Sequence, residues 1–349
     1  MRFTPVELED FSNFLKKEFG LSFSPEKYQQ LENRIIPILE NFSMRRLSEI
    51  VVQMKRNIRL RMDLINALTT NETWFFRHPS HFNILTKFIL PELQKKSAST
   101  HDNRLKIWSA GCSIGAEPYS LLISLLEAFT SHEKWNISIL GSDIASDAIA
   151  RARTGTYEKQ ELKLIEPRLL EKYFVPAGHN CFRVREELSR MVEFEVLNLL
   201  DSWPARKFDV IFCRNVMIYF SEEHKKQVTD KFLESLNDNG FYLTSANESI
   251  HWQTRVGLKK IFVEDEFVYQ KARSQKTFRL YRFATPSDLL RALNLLNQSG
   301  LSYGLEKIRQ THDLAPKRAI FISQDDCNRA DELFSLSDIK VASNNPYPK

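Results

Sequence analysis

Residues Ile107 to Tyr119, IWSAGCSIGAEPY, read as a buried strand that breaks into a glycine turn and opens a helix. A second apolar run, ISILGSD, follows and ends in Asp143. Strand, glycine turn, helix, strand and terminal acid make the nucleotide-cradling half of a doubly wound α/β fold. In that arrangement the glycines let backbone approach the ligand, and the acid accepts hydrogen bonds from ribose hydroxyls. The spacing narrows the ligand: Gly111-x-x-x-Gly115 is not the dinucleotide fingerprint, and no Lys-Ser/Thr follows it as in a phosphate-binding P-loop. A ligand with a ribose but no bound phosphate fits such a turn better than NAD or ATP, and S-adenosylmethionine is the commonest of that kind.

At 349 residues the chain has length for two domains and a short extra element. Its 49 basic and 44 acidic residues leave a net charge of +5, too small to demand a nucleic-acid partner, though compatible with a local basic patch. Cys112, Cys181, Cys213 and Cys327 lack CxxC or metal-ligand spacing and read as reduced thiols of a cytoplasmic protein, with no structural zinc. His78 and His81 are close in sequence but have no evident third ligand, so they read as solvated loop histidines and no metal is expected. No run reaches the roughly 18 apolar residues of a membrane span, and neither export nor membrane insertion is expected.

Residues 1–75 show helical periodicity, with apolar positions such as Leu8, Phe11 and Leu15, then Leu31, Ile35 and Leu39. Ser24-Pro25 has the form of an N-cap followed by proline at the first helical position. A further helix near Asp63 to Thr69 leads into TTNETWFFRHPSHF. Polar residues 97–103 read as a loop, after which strand and helix alternate, as in a mostly parallel sheet. Residues 157–197, which include FRVREEL and MVEFEVLN, read as a small inserted β subdomain. The core resumes with FDVIFCRNVMIYF, a helix, the turn Asp238-Asn239-Gly240, and closing strands FYLTSAN, FVYQKA and TFRLYRF. Residues 284–349 read as a separate extension, helical near LLRALNLLN, with AIFIS as one strand.

Three segments, TTNETWFFRHPSHF, WSAGCSIGAEPYSL and FDVIFCRNVMIYF, in this order and spacing, resemble the CheR family of chemoreceptor glutamate methyltransferases. The resemblance runs from about Phe3 to Phe283. It implies a Rossmann-like α/β methyltransferase domain (76–283) with a small inserted β subdomain, preceded by an all-α N-terminal domain (1–75) that faces the receptor helix. Residues 284–349 lie outside it. Carried over by position, it implies that Asn71, Thr73 and Arg77 meet S-adenosylmethionine near its methionine end, and that Glu117 and Asp143 line the pocket. Asn198, Leu199, Cys213 and Arg214 would close around the adenine and the methionine end, with Arg77 and Tyr219 flanking the point of methyl transfer. Two departures stand out: Ala116-Glu117 replaces the two successive acids frequent in the family, and Ala246-Asn247-Glu248 replaces His-Ser-Glu.

Methyl transfer from a sulfonium is an in-line displacement that calls for alignment and exclusion of water. A glutamate carboxylate, with a reference pKa of about 4.3, is ionised at neutral pH and needs no general base, which fits the lack of a His-centred triad. Arg77 and Tyr219 have the chemistry to orient it. Structural readings stand beside these: Asp143 could cap the next helix, Glu117 could serve the helix dipole, and Tyr219 could be core. Arg45, Arg46, Lys55, Arg56, Arg59 and Arg61 form either a solvated helix face or a basic face for an acidic receptor helix. No aromatic residues interleave them for base stacking, and no Asn/Asp-Pro-Pro-aromatic motif follows Cys213, so a nucleic-acid substrate is not expected. The reading is a monomeric cytoplasmic protein-glutamate O-methyltransferase acting on methyl-accepting chemotaxis receptors and releasing S-adenosylhomocysteine; the alternative is a non-catalytic signalling scaffold that binds the same cofactor.

Overall fold

The computed structural model describes residues 3–69, 72–100, 102–129, 135–245, 248, 258–264, 266–272, 278–283, 285–299, 303–307, 318–323, 327–339 and 341–347. The chain divides into two units, Met1–Ala272 and Arg273–Lys349.

The first unit begins with helices. Thr4 caps α1 (Pro5–Phe19): its hydroxyl accepts the Glu7 N–H, while the Glu7 carboxylate accepts the Thr4 N–H. Gly20, at φ 72°, ends the helix in the left-handed region. Ser24 and Pro25 open a 3-10 turn that leads into α2 (Tyr28–Asn41), followed by α3 (Leu47–Gln53) and α4 (Ile58–Leu68). The four-residue spacing of Leu31, Ile35 and Leu39 puts them on one face of α2, where they are buried against Leu15, Ile50, Leu60 and Leu64. Beyond this bundle, α5 (Pro79–Ile84) passes through a π-turn at Leu85–Ile89 into α6 (Leu90–Thr100). The polar stretch expected to be a loop thus continues the helix as far as Thr100, since polarity without Gly or Pro does not stop one.

The sheet segment comprises β1 (Arg104–Ala110), α7 (Ala116–Ala128), β2 (Asn136–Asp143) and α8 (Ser146–Thr154). Next come β3 (Thr156–Glu158), α9 (Pro167–Tyr173), β4 (Phe174–Pro176), β5 (Cys181–Val184) and α10 (Glu186–Ser189). The unit closes with β6 (Val192–Val196), β7 (Phe208–Cys213), α11 (Glu222–Ser235), β8 (Leu236–Leu243), β9 (Leu258–Val263) and β10 (Glu266–Lys271).

Seven of these strands form one sheet in the order β6-β2-β1-β7-β8-β10-β9. Its pairs are parallel from β6 to β8 and antiparallel where β10 meets β8 and β9. Since β1 lies between β2 and β7, the carboxyl ends of β1 and β7 flank a topological switch point, where such sheets open a crevice. Below it, buried Trp108 donates its indole N–H to Ser142 Oγ at 2.9 Å and meets Trp203, Phe208 and Phe232.

The inserted sheet is β3-β5-β4 alone. The run VEFEV is instead β6, paired with β2 in parallel register from Ile139 opposite Val192. As an edge strand it is buried on one face only, so its alternation mimics that of an inserted antiparallel strand. The turn expected at Asp238-Asn239-Gly240 is a bulge inside β8: pairing jumps from Phe208 opposite Leu236 to Val210 opposite Phe241, with Asn239 at φ 62°.

The second unit contains β11 (Phe278–Phe283), α12 (Pro286–Gln298), β12 (Tyr303–Lys307), β13 (Arg318–Ser323), α13 (Cys327–Leu336) and β14 (Val341–Tyr347). Its sheet order is β12-β13-β11-β14. The β-α-β-β-α-β succession with this order is the ferredoxin-like arrangement. TFRLYRF therefore belongs with the C-terminal extension, which starts at Arg273 and not at 284. Tyr281 is buried against Phe334 and donates its hydroxyl to Asp331 Oδ1 at 2.9 Å.

Candidate functional site

A cavity of about 320 Å³ opens at the switch point. Gly111 and Gly115 hold the turn after β1 at φ 80° and 86°. A Cβ on Gly111 would stand 2.1 Å from Val216 Cγ2, so the glycine is required by close approach as well as by conformation. That turn brings Ser113 N–H to Asp143 Oδ2 at 2.8 Å, while Ala145 N–H reaches Oδ1 at 2.9 Å. Burial raises the Asp143 pKa, and the backbone hydrogen bonds from Ala145 and Ser113 oppose the rise. Each oxygen keeps acceptor capacity for a further donor. Asp143 thus makes an Asx turn ahead of α8, whose N-cap, Ala145, has no side-chain cap, so the helix-capping reading does not hold and Asp143 lines the cavity.

Glu117, in the first turn of α7, accepts the Ser109 hydroxyl at 2.7 Å. Burial raises its pKa, with Arg214 acting in the opposite direction. Arg214 is only 8% exposed, and burial lowers its pKa against the pull of Glu117. Its Nε, the Nε of Arg77 and the indole nitrogen of Trp74 are buried without a hydrogen-bond partner among the described residues. Arg77 Nη1 donates to the Glu72 carbonyl at 2.5 Å.

The loop after β7 carries Arg214 and, on a 3-10 turn, Tyr219. Glu248, 3% exposed, holds it by accepting the N–H of Asn215 at 2.9 Å and of Ile218 at 3.2 Å. Its carboxylate also accepts Ser245 N–H and the hydroxyls of Thr244 and Ser245. Asn215 sits at φ 57°. The family segment that departs at 246 and 247 thus keeps its working acid at 248; Ala246 and Asn247 lie outside the described residues.

Of the expected residues, Thr73, Arg77, Glu117, Asp143, Asn198, Leu199, Arg214 and Tyr219 all line this cavity. Tyr219 is half-buried at the cavity and not part of the core. Asn71 lies outside the described residues. Asn198 uses its amide on Glu18 O at 3.1 Å and on Leu200 N–H at 3.0 Å, so its side chain fixes the loop and the N-terminal helix. Cys213 is fully buried among Ile211, Trp108 and Phe232, which agrees with reading its side chain as packing; it does not line the cavity, so the contact implied by the resemblance is not seen.

His81 is also corrected. It is 1% exposed, with Nε2 3.7 Å from Glu266 Oε2, and burial pushes its pKa down to about 3. His78 does line the cavity, with its pKa lowered to about 4 by burial.

Arg45, Arg46, Lys55, Arg56 and Arg59 are exposed on the helical bundle and away from the cavity. Arg61 departs from this group: it lies 3.9 Å from Asp201 and 5.4 Å from the Phe19 ring centroid, facing the α/β core. One wall of the cavity lies outside every motif named above. Phe19, Leu21, Phe23, Lys27, Gln30 and Arg34, from the end of α1 through α2, line the cavity. The sequence signal for this wall is the apolar connector FGLSF between two helices.

The residues fit an amino-acid nucleoside. Asp143 matches a ribose diol, Glu117 an ammonium, and the unpartnered Nε of Arg214 a carboxylate. A doubly wound sheet with this site defines an S-adenosylmethionine-dependent methyltransferase. Residues 71–265 match the family model "CheR methyltransferase, SAM binding domain", and residues 6–69 match "CheR methyltransferase, all-alpha domain". The chain belongs to the CheR methyltransferase family. A chemotaxis protein methyltransferase of Vibrio parahaemolyticus is 36% identical over 70% of this chain and 89% of its own. One from Borreliella burgdorferi is 35% identical over 71% and 89%.

Proposed function

We propose that this protein transfers the methyl group of S-adenosylmethionine to glutamate side chains of chemoreceptors, giving methyl esters and S-adenosylhomocysteine. The observation that carries the reading is the convergence of Arg77 and Tyr219 on the cavity that also holds Asp143 and Glu117. The cofactor supplies an electrophilic methyl on a sulfonium. Asp143 would hold its ribose and Glu117 its ammonium, with Arg214 and Thr73 toward the carboxylate end. The incoming glutamate is already anionic, so the protein has no proton to remove and no need of a metal to activate the nucleophile. Arg77 would attract and align the carboxylate, and the Tyr219 hydroxyl would fix the oxygen not attacking.

The exposed Arg45, Arg46, Lys55, Arg56 and Arg59 give the helical bundle a basic face. It complements an acidic receptor helix and would raise the encounter rate. Acting on receptor helices inside the cell would set this protein in the cytoplasm, and the reading takes it to act as a monomer. No described helix is long and apolar enough to cross a membrane.

The test is transfer of radiolabelled methyl from S-adenosylmethionine to chemoreceptor-containing membranes, read as base-labile volatile methanol. Label that depends on Arg77 is expected. If Arg77→Ala leaves transfer unchanged, its assigned role is wrong; if cofactor binds and no receptor is labelled, a binding scaffold replaces the enzyme.

A further inference from the structure

The segment that carries Arg77 is fastened to the inserted subdomain at successive residues. Phe75 N–H donates to the Glu161 carbonyl at 2.9 Å. The buried Phe75 ring meets Tyr157 edge-on at 4.7 Å and Phe174 at 5.3 Å. Glu161 is fixed in turn by Arg151, 2.6 Å away, and by the Glu158 N–H at 2.8 Å. The ring of Trp74 carries two cations: Lys163 Nζ at 4.0 Å from its centroid and the Arg77 guanidinium carbon at 4.5 Å.

This arrangement has a chemical logic. A carboxylate could orient Arg77, but it would neutralise the charge that a substrate carboxylate must meet. An aromatic face and the Glu72 carbonyl orient the guanidinium and leave its charge available. We propose that Trp74 is a positioning residue for Arg77, held in register by the inserted subdomain through Lys163 and Glu161. The inference rests on the role assigned to Arg77 in methyl transfer.

The test uses the full chain and measures steady-state methyl transfer to receptor membranes, S-adenosylhomocysteine binding and the melting temperature. Arg77→Ala comes first; a wild-type rate there removes the reading on which this inference stands. With Arg77→Ala inactive, Trp74→Leu is expected to lower kcat about tenfold, the scale of one partly desolvated cation–π contact. Trp74→Phe, which keeps a ring and drops the indole N–H, is expected to stay within about threefold of wild type. Lys163→Met, at an exposed position, is expected to lower kcat about twofold with the melting temperature unchanged.

Trp74→Leu at the wild-type rate, or Trp74→Phe as slow as Trp74→Leu, overturns the positioning role while leaving Arg77 in place. Should Trp74→Leu fail to fold, Lys163→Met decides: an unaltered kcat refutes the proposal. A drop confined to KM refutes it as well, since misplacement of Arg77 acts on the transfer step.

Discussion

Phe220 lies so close over Gly20 that a Cβ on the glycine would stand 2.3 Å from the Phe220 ring. Phe220 adjoins Tyr219 on the loop after β7, and Gly20 ends α1, so the helical bundle directly supports the loop of the candidate site. Gly20 is also at φ 72°, where an L side chain is strained. Gly20→Ala combines that strain with overpacking and is expected to cost about 2–4 kcal/mol. Chemical denaturation measures the cost, and a parallel fall in methyl transfer would register displacement of Tyr219. A loss below about 0.5 kcal/mol, within the range of ordinary surface changes, would mean that the contact is loose.

Glu248 gives a second, independent hold on that loop. From that loop it accepts two backbone N–H groups, of Asn215 and Ile218, and keeps Asn215 in the left-handed region. Glu248→Ala leaves the Ile218 N–H without its acceptor and the Asn215 N–H with only the Ser245 hydroxyl at 3.3 Å, and is expected to cost about 2–4 kcal/mol. The methyl-transfer rate should fall further than S-adenosylhomocysteine affinity, because Tyr219 moves with Ile218 while Asp143 and Glu117 stay on other elements. Glu248→Gln, which keeps one carbonyl acceptor, should recover part of both losses. Equal losses in rate and affinity would place Glu248 in general folding and not in loop alignment.

What the sequence reveals of this site is what lies along one stretch of chain. The turn from β1 to α7 and the acid ending β2 are legible because strand, glycine and helix signals adjoin one another. Arg77 and Tyr219 are legible because distinctive strings surround them. Lys27 and Arg34 are not, since they reach the cavity only after α2 docks on a core far along the chain. Burial is equally hidden: a histidine after Pro79-Ser80 looks solvated until Glu266 and Arg214 close over it. The edge strand β6 and the strand β11 show the same limit, for a two-residue period states that a strand exists but not which sheet receives it.

His81 predicts how stability responds to acid. Its ordinary pKa of 6.5 is pushed down to about 3, first by burial and then by Arg214, and Glu266 at 3.7 Å does not offset them. A depressed histidine pKa favours the fold fully above 6.5, and that contribution is lost as pH falls toward 3, because the unfolded chain takes up a proton the native ring refuses. Between pH of about 7.5 and about 4.5, His81→Phe should therefore lose about 2–3 kcal/mol less stability than wild type. Urea unfolding at the two pH values measures the difference, and parallel losses would show that His81 titrates normally in the native protein.

Glu117 predicts how cofactor affinity responds to pH. Burial raises its pKa above 4.5, and Arg214 and the Ser109 hydroxyl only partly restore it. For a carboxyl with a raised native pKa, the protonated form is the one the empty fold favours. Its contribution to stability is greatest below 4.5 and is lost as pH rises through the native value. The ammonium of S-adenosylhomocysteine needs the ionised form, so affinity should weaken as pH falls through that raised value, and binding there should release a proton to buffer. Glu117→Gln should bind about 10- to 100-fold more weakly at pH of about 8, the scale of one hydrogen bond to a charged group. It should also show a shallower pH dependence, the remainder belonging to Asp143, whose pKa burial also raises. Calorimetry in two buffers of different ionisation enthalpy measures both the affinity and the proton count. A wild-type pH profile in Glu117→Gln would remove Glu117 as the ammonium's partner and leave its bond to Ser109 as a purely structural one.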